Sequence, residues 1–188
     1  MIRSKKDCLN LPDKIRSISI VQKIPTLEQE YFQMFKERWS ENERKLKAGE
    51  IKQGSEALVK IGILRKCSSY FKINKTLEIV ENLLNDGQSV VVFCEFLDTI
   101  NELEKIFNSQ KISCEKIVGS TPKDERTNIV ERFQNKKFKV FLGSVKAGGV
   151  GLTLTAATHL ILHDRPWTPG DAEQAEDRCH RIGQSSTV

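Results

Sequence analysis

The chain changes texture at Ser89. Before it, apolar residues recur at helical spacing among polar ones; after it, short unbroken apolar runs alternate with amphipathic stretches. Between Ile15 and Ile24 apolar and polar positions alternate through Ile18, Ile20 and, less strictly, Ile24, which predicts a strand ended by Pro25. Thr26 then predicts a helix cap, with Gln29 as its capping-box partner. Tyr31, Phe32, Phe35 and Trp39 put an aromatic stripe on that helix, read as core or inter-domain packing. Ser40 to Ala57 is polar and predicts a solvated helix end and a loop. Leu58, Ile61 and Leu64 resume helical spacing up to Cys67. Leu77, Val80 and Leu84 mark a further amphipathic helix, stopped at Asp86-Gly87.

Val90 to Phe96 is continuously apolar, as in a parallel strand covered on both faces. Leu97 to Phe107 has helix spacing, and Ile112 to Gly119 predicts a second strand. Thr121, Pro122 and Asp124 predict a helix start, with Thr121 as cap, Pro122 at the first helical position and Asp124 reaching back. Ile129, Val130 and Phe133 are that helix's buried face. Phe138 to Ser144 and His159 to Asp164 read as a third and a fourth strand. Strands alternating with helices over short connections predict an α/β fold, a parallel sheet flanked by helices. Ligands meet such sheets at the carboxyl ends of the strands. The candidate loops are therefore Glu95–Asp98, Gly119–Thr121, Ser144–Gly151 and Asp164–Gly170.

Composition narrows this picture only a little. A chain of 188 residues can bury one substantial core, or one domain and a smaller appendage. The net charge of +5 permits a polyanionic partner without demanding one. The five cysteines are odd in number and scattered, with no CxxC pair, which argues against a disulfide framework or a zinc site and favours a reducing, intracellular compartment. The N-terminus lacks the apolar run of a secretion signal, and no stretch of about 18 apolar residues suggests a membrane span.

Two stretches carry candidate chemistry. Ser144 to Thr155 holds Gly148, Gly149 and Gly151 near Ser144, Lys146 and Thr153, a loop able to offer backbone N–H groups and a cation to phosphates. A tight turn explains such glycines equally well. The second stretch is Gln174 to Gln184, QAEDRCHRIGQ. If helical, its Gln174, Arg178 and Arg181 share one stripe, and planar guanidiniums bond phosphate oxygens in pairs. The alternative is a solvated charged helix in which Glu173, Glu176 and Asp177 pair with the arginines.

Taken in order, these segments resemble a known family. VVVFCEF, VGSTPKDER with Glu131–Phe133, SVKAGGVGLTLT, RPWTPGD and QAEDRCHRIGQ resemble motif IV, the Gly-Ser/Thr…Arg…Phe segment, motif V, the tryptophan segment after it and motif VI of Swi/Snf-type ATPases of helicase superfamily two. The match covers at least residues 89–188, the C-terminal RecA-like lobe. More loosely, residues 10–88 are similar to the inter-lobe part of the family: LPDKIR resembles the exit from the first lobe, and the helices ending at GILRKCSS the helical protrusion.

The resemblance implies a RecA-like three-layer parallel sheet over residues 76–188, preceded by an inter-lobe linker and mainly helical protrusion over 1–75. It implies that Arg178 and Arg181 are arginine fingers, that Gln174 couples the nucleotide site to the other lobe, and that Gly149 and Gly151 lie at the lobe interface. It implies nucleic-acid backbone contacts at Gly119, Ser120, Thr121, Ser144 and Lys146. Trp167 resembles a tryptophan close to the DNA path, with packing as its other reading. Lys146 and Thr153 depart from the family, standing where many members have Arg and Asn.

The implied partners are double-stranded DNA and an N-terminal RecA-like ATPase lobe, which in the family holds ATP and Mg2+ through a phosphate loop and an acidic motif. The chain contains no GxxxxGK[ST] motif, so isolated hydrolysis is expected to be near zero. It ends just past motif VI, where the family's last strand and brace helices are expected. The nucleus is expected if the source is eukaryotic, otherwise the cytoplasm or nucleoid. Two alternatives stand beside the motor lobe: a non-catalytic half-motor that binds nucleic acid or protein, and an unrelated doubly wound nucleotide-binding domain.

Overall fold

The computed structural model describes residues 11–21, 25–50, 56–145 and 151–188, which fall into two compact units. One runs from Ser19 to Lys75; the other gathers Thr76–Val188 with the chain up to Ile18.

The Ser19–Lys75 unit is helical. Helix α1 (Pro25–Lys47) packs against α2 (Glu56–Phe71). The aromatic stripe makes this contact: the Tyr31 ring lies 5.7 Å from that of Phe71, and the Lys60 ammonium stands 4.4 Å from the centre of the Trp39 ring. Helix α1 runs on through Ser40–Lys47, where a helix end and a loop were expected. The stretch is polar but built of good helix formers, and it carries an i,i+4 ion pair, Glu41–Lys45, at 2.9 Å. The predicted Thr26 cap lies outside the described side chains.

The second unit holds α3 (Ile73–Asn85, from Thr76 on), β1 (Val90–Cys94), α4 (Leu97–Ser109), β2 (Cys114–Ile117), α5 (Lys123–Gln134), β3 (Val140–Ser144), β4 (His159–Leu162) and α6 (Pro169–Glu176). All pairings are parallel and the strand order is β2-β3-β1-β4. This is the RecA-like α/β fold. Strand β1 is buried at every position, as its unbroken apolar run requires. On one face Val91, Phe93, Phe141 and Ile117 pack with Ile129 and Phe133 of α5 and with Leu154, Ala157, Ala175 and Cys179. Helix α4 adds the buried Ile100, Leu103 and Phe107 beside β1, β2 and β3.

Gly143 is set by this packing. It pairs with Phe93 in the β1–β3 ladder, and a Cβ there would stand 2.7 Å from the Phe93 ring and 3.2 Å from that of Phe141. Only glycine lets the two rings meet edge to face, at 6.4 Å between centres.

Two local expectations are corrected. Residues 11–21 form no strand. The segment is extended but exchanges only single backbone bonds with the other end of the chain, leaving Ile18 and Ile20 exposed, so no ladder forms. The start of α5 is displaced as well. Pro122 occupies the cap position, and the Thr121 hydroxyl turns back to accept from the Val118 N–H at 3.0 Å. The restricted φ of proline sets the entry to the helix without a side-chain cap.

Candidate functional site

The carboxyl ends of the strands open onto a cleft of about 750 Å³. Its place follows from the strand order. The connection leaving β1 passes over β3 to reach β2, and the one leaving β3 returns across β1 to β4, so the direction of winding switches between β1 and β3. Glu95, just after β1, and Ser144, the last residue of β3, both lie in the cleft wall. The buried Asp164 carboxylate, just after β4, accepts from the Glu95 N–H at 3.1 Å and ties the ends of β1 and β4 together.

Gly119, Ser120, Ser144, Trp167 and Gln174 line this cleft together. Arg126 shapes the loop after β2. From α5 its guanidinium donates to the carbonyl oxygens of Thr121 at 2.8 Å, Gly119 at 2.9 Å and Val118 at 3.2 Å. Thr121 is thereby part of the loop's frame, while Gly119 and Ser120 are exposed on it. Trp167 leaves 57% of its surface open.

The arginines occupy a different setting. Thr168 caps α6, accepting from the Asp171 N–H at 3.1 Å, and the helix ends at Glu176 with Asp177 as its C-cap. Arg178 and Arg181 therefore lie in turns beyond the helix and share no helical stripe with Gln174. Gln174 goes with the cleft. Arg178 is buried, while Arg181 is exposed and donates to the carbonyl of Gly151 and the hydroxyl of Thr153, both at 3.3 Å. Burial lowers the Arg178 pKa from its usual value, the Arg181 charge lowers it further, and Asp177 partly offsets both. The two like charges thus disfavour one another.

Side-chain amides hold the turn in place of a helix. The Gln184 amide nitrogen lies 2.9 Å from the Ala157 carbonyl, 3.2 Å from that of Thr155 and 3.3 Å from that of Cys179. Its amide oxygen accepts from the backbone of Ser185 and Ser186, each at 3.1 Å. The Leu154 N–H donates to the Arg178 carbonyl at 2.8 Å, and Gly183 adopts a φ of +102° that permits the reversal. Beneath the turn, burial pushes the Cys179 thiol up to about 12. Sequence reasoning assigned no role to Gln184 or Arg126; the only signal was their position inside the quoted motifs.

Lys146 and Gly149 lie outside the described residues, and Gly151 is the described end of their loop, with a φ of +50°. Among the described residues no cluster of three His, Cys, Asp or Glu side chains is suited to a metal ion, and no helix is long and apolar enough to cross a membrane.

A parallel sheet with a cleft at its switch point marks a ligand-binding α/β lobe. Residues 72–183 match the helicase conserved C-terminal domain, and the chain belongs to that family. Within it, the chain is a Swi/Snf-type C-terminal lobe. It is 34% identical over 135 residues to a SWI/SNF-related matrix-associated actin-dependent regulator of chromatin subfamily A containing DEAD/H box 1 homolog from Caenorhabditis elegans, covering 65% of this chain and 14% of that protein. It is 43% identical over 129 residues to the DNA repair protein RAD5 of Eremothecium gossypii, covering 62% of this chain and 12% of that one. The chain thus spans only a small part of these relatives.

Among solved structures, the Sulfolobus solfataricus SWI2/SNF2 ATPase core domain matches 99% of this chain over 42% of its own, with a TM-score of 0.67 and 26% identity. The same core in complex with dsDNA matches 98% of this chain over 43% of its own, at a TM-score of 0.69 and 23% identity, a likeness of fold.

Proposed function

We propose that this chain is the second motor lobe of an ATP-dependent DNA translocase of the chromatin-remodelling type. In this reading residues 76–188 are the lobe and residues 1–75 the linker and protrusion. The observation that carries the proposal is the arginine turn. Arg181 is exposed yet held by Gly151 and Thr153, with Arg178 close enough to repel it. ATP and Mg2+ would be held mainly by a first ATPase lobe acting opposite, and ATP bound there supplies the phosphoryl group to be transferred. Arg178 and Arg181 would then stabilise the negative charge that builds on that group, usually the largest electrostatic contribution in such chemistry. Gln174 would help couple the nucleotide site to the other lobe, and Gly149 and Gly151 would lie at the lobe interface.

The strand-end cleft supplies the second half of the reading. Gly119, Ser120, Thr121, Ser144, Lys146 and Trp167 would track a double-stranded DNA backbone, with phosphate contacts that hold position and read little sequence. The SWI2/SNF2 ATPase core solved in complex with dsDNA, and the relatives named as a DNA repair protein and a helicase, support this choice of partner.

The test joins this chain to the ATP-binding lobe of a Swi/Snf relative and measures DNA-stimulated ATP hydrolysis. Arg181→Ala is expected to lower turnover by on the order of a thousandfold while leaving the melting temperature unchanged. Parental turnover in that variant overturns the assignment.

A further inference from the structure

The extended segment ahead of the helical unit is fastened to the arginine turn at several points. The Pro12 carbonyl lies 2.7 Å from Nε2 of His180. The Val188 N–H donates to the Asp13 carbonyl at 3.1 Å, and the Ile15 N–H donates to the Val188 carbonyl at 2.8 Å. Lys14 and Arg16, two residues apart, project to the same side. Both reach one carboxylate, Glu176. Lys14 donates to Oε2 at 2.7 Å; Arg16 donates through Nε to Oε1 at 2.9 Å and through Nη2 to Oε2 at 2.7 Å.

Glu176 is the last residue of α6 and stands two positions before Arg178. Its side chain keeps only 12% of its surface exposed. Burial alone would raise its pKa, but the two cations outweigh burial and hold it below the usual carboxylate range. The bidentate Arg16 fork fixes direction as well as charge, which a single ammonium would not. The turn that carries the arginines is thus held from below by Gln184 and from its helical end by this clasp.

We infer that Pro12–Arg16 is a strap across the arginine turn, and that Lys14 and Arg16 are positioning residues that act through Glu176 to aim Arg178 and Arg181. The inference rests on the phosphate-stabilising role proposed above. The strap lies in the chain just ahead of Ser19, where the helical unit begins.

Two measurements test it. On the chain itself, amide hydrogen exchange across residues 177–184 should quicken in the double variant Lys14→Met, Arg16→Gln and in Glu176→Lys. The reversed clasp, Glu176→Lys with Lys14→Glu and Arg16→Glu, should slow it again. In the chain joined to an ATP-binding lobe, both disrupted variants should lose kcat by on the order of tenfold to a hundredfold, with KM for ATP unchanged, because a small misplacement of a catalytic group is costly. The reversed clasp should recover most of that loss. Parental kcat in the disrupted variants, an effect confined to KM, or no recovery in the reversed clasp overturns the strap. If Arg181→Ala itself keeps turnover, the motor reading fails. The exchange result then still decides whether the strap holds the turn.

Discussion

The cleft and the arginine turn sit in one unit but are built by opposite means. Cleft residues hang from the ends of paired strands, where the ladder Val90↔Val140 through Cys94↔Ser144 sets the height of each loop. The turn has no ladder and, beyond Glu176, no helix. Gln184 and the Leu154–Arg178 backbone bond hold it from one side. Buried polar networks of this kind fix a unique conformation when every member is satisfied, and they fail abruptly when one is removed. The cleft should therefore tolerate substitution residue by residue, and the turn should not.

The largest effect is expected at Gln184. Gln184→Ala leaves carbonyl and N–H groups beneath the turn without their protein partner, at about 3 kcal/mol. Thermal melting should fall by roughly 6–12 °C for a chain of this size. Gln184→Glu keeps the acceptor side but sets a carboxylate oxygen against three carbonyl oxygens at a buried site, so it should fall at least as far. If Gln184→Ala melts like the parent, the turn is held by something else and the contrast with the cleft disappears.

This contrast also explains what could be read from the residues. The sheet was legible because Val90–Cys94 and Val140–Gly143 are uninterrupted apolar runs, a signal of burial on both faces. The helix drawn through Gln174, Arg178 and Arg181 was not borne out, because spacing alone cannot tell a stripe from a turn. The helix stops at Glu176, and the turn that follows is held by the positive φ of Gly183 and the long-range amide bonds of Gln184, neither of which leaves a periodic trace. The strand at Ile15–Ile24 misled in a similar way. Its alternation is real, but the described part finds only isolated backbone bonds rather than a strand to pair with. Motif order, by contrast, identified the family without any of this geometry.

A second test presses on the sheet beneath the cleft. Gly143→Ala forces a methyl group into the Phe93 and Phe141 rings, where neither buried ring can swing away. Overpacking of this kind costs about 2 kcal/mol and should lower the melting temperature by roughly 4–8 °C. Lobe-joined turnover per folded molecule should hardly change, because the arginine turn is fixed separately. A turnover loss larger than the folding loss would show that sheet and turn are coupled. Arg126→Met should have a smaller effect, about 1–2 kcal/mol, as three loop carbonyls lose a charged donor at a partly exposed site. Here DNA affinity should drop more than stability, since the loop loses its frame rather than the fold its core.

The smallest effect is expected at Ser120, and it is the sharpest probe of the cleft. The residue is exposed on the loop that Arg126 frames, so Ser120→Ala should change stability by no more than about 0.5 kcal/mol. If its hydroxyl bonds a phosphate oxygen, affinity for double-stranded DNA should fall by about one neutral hydrogen bond, on the order of 1 kcal/mol. The slope of log affinity against log salt should stay the same, because a neutral hydroxyl displaces no counterion. A cation in the same place would change that slope by about one unit. Unchanged affinity would take Ser120 off the DNA path. A changed slope would mean that the substitution had moved a charged neighbour, and the cleft would then share the all-or-none behaviour assigned to the arginine turn.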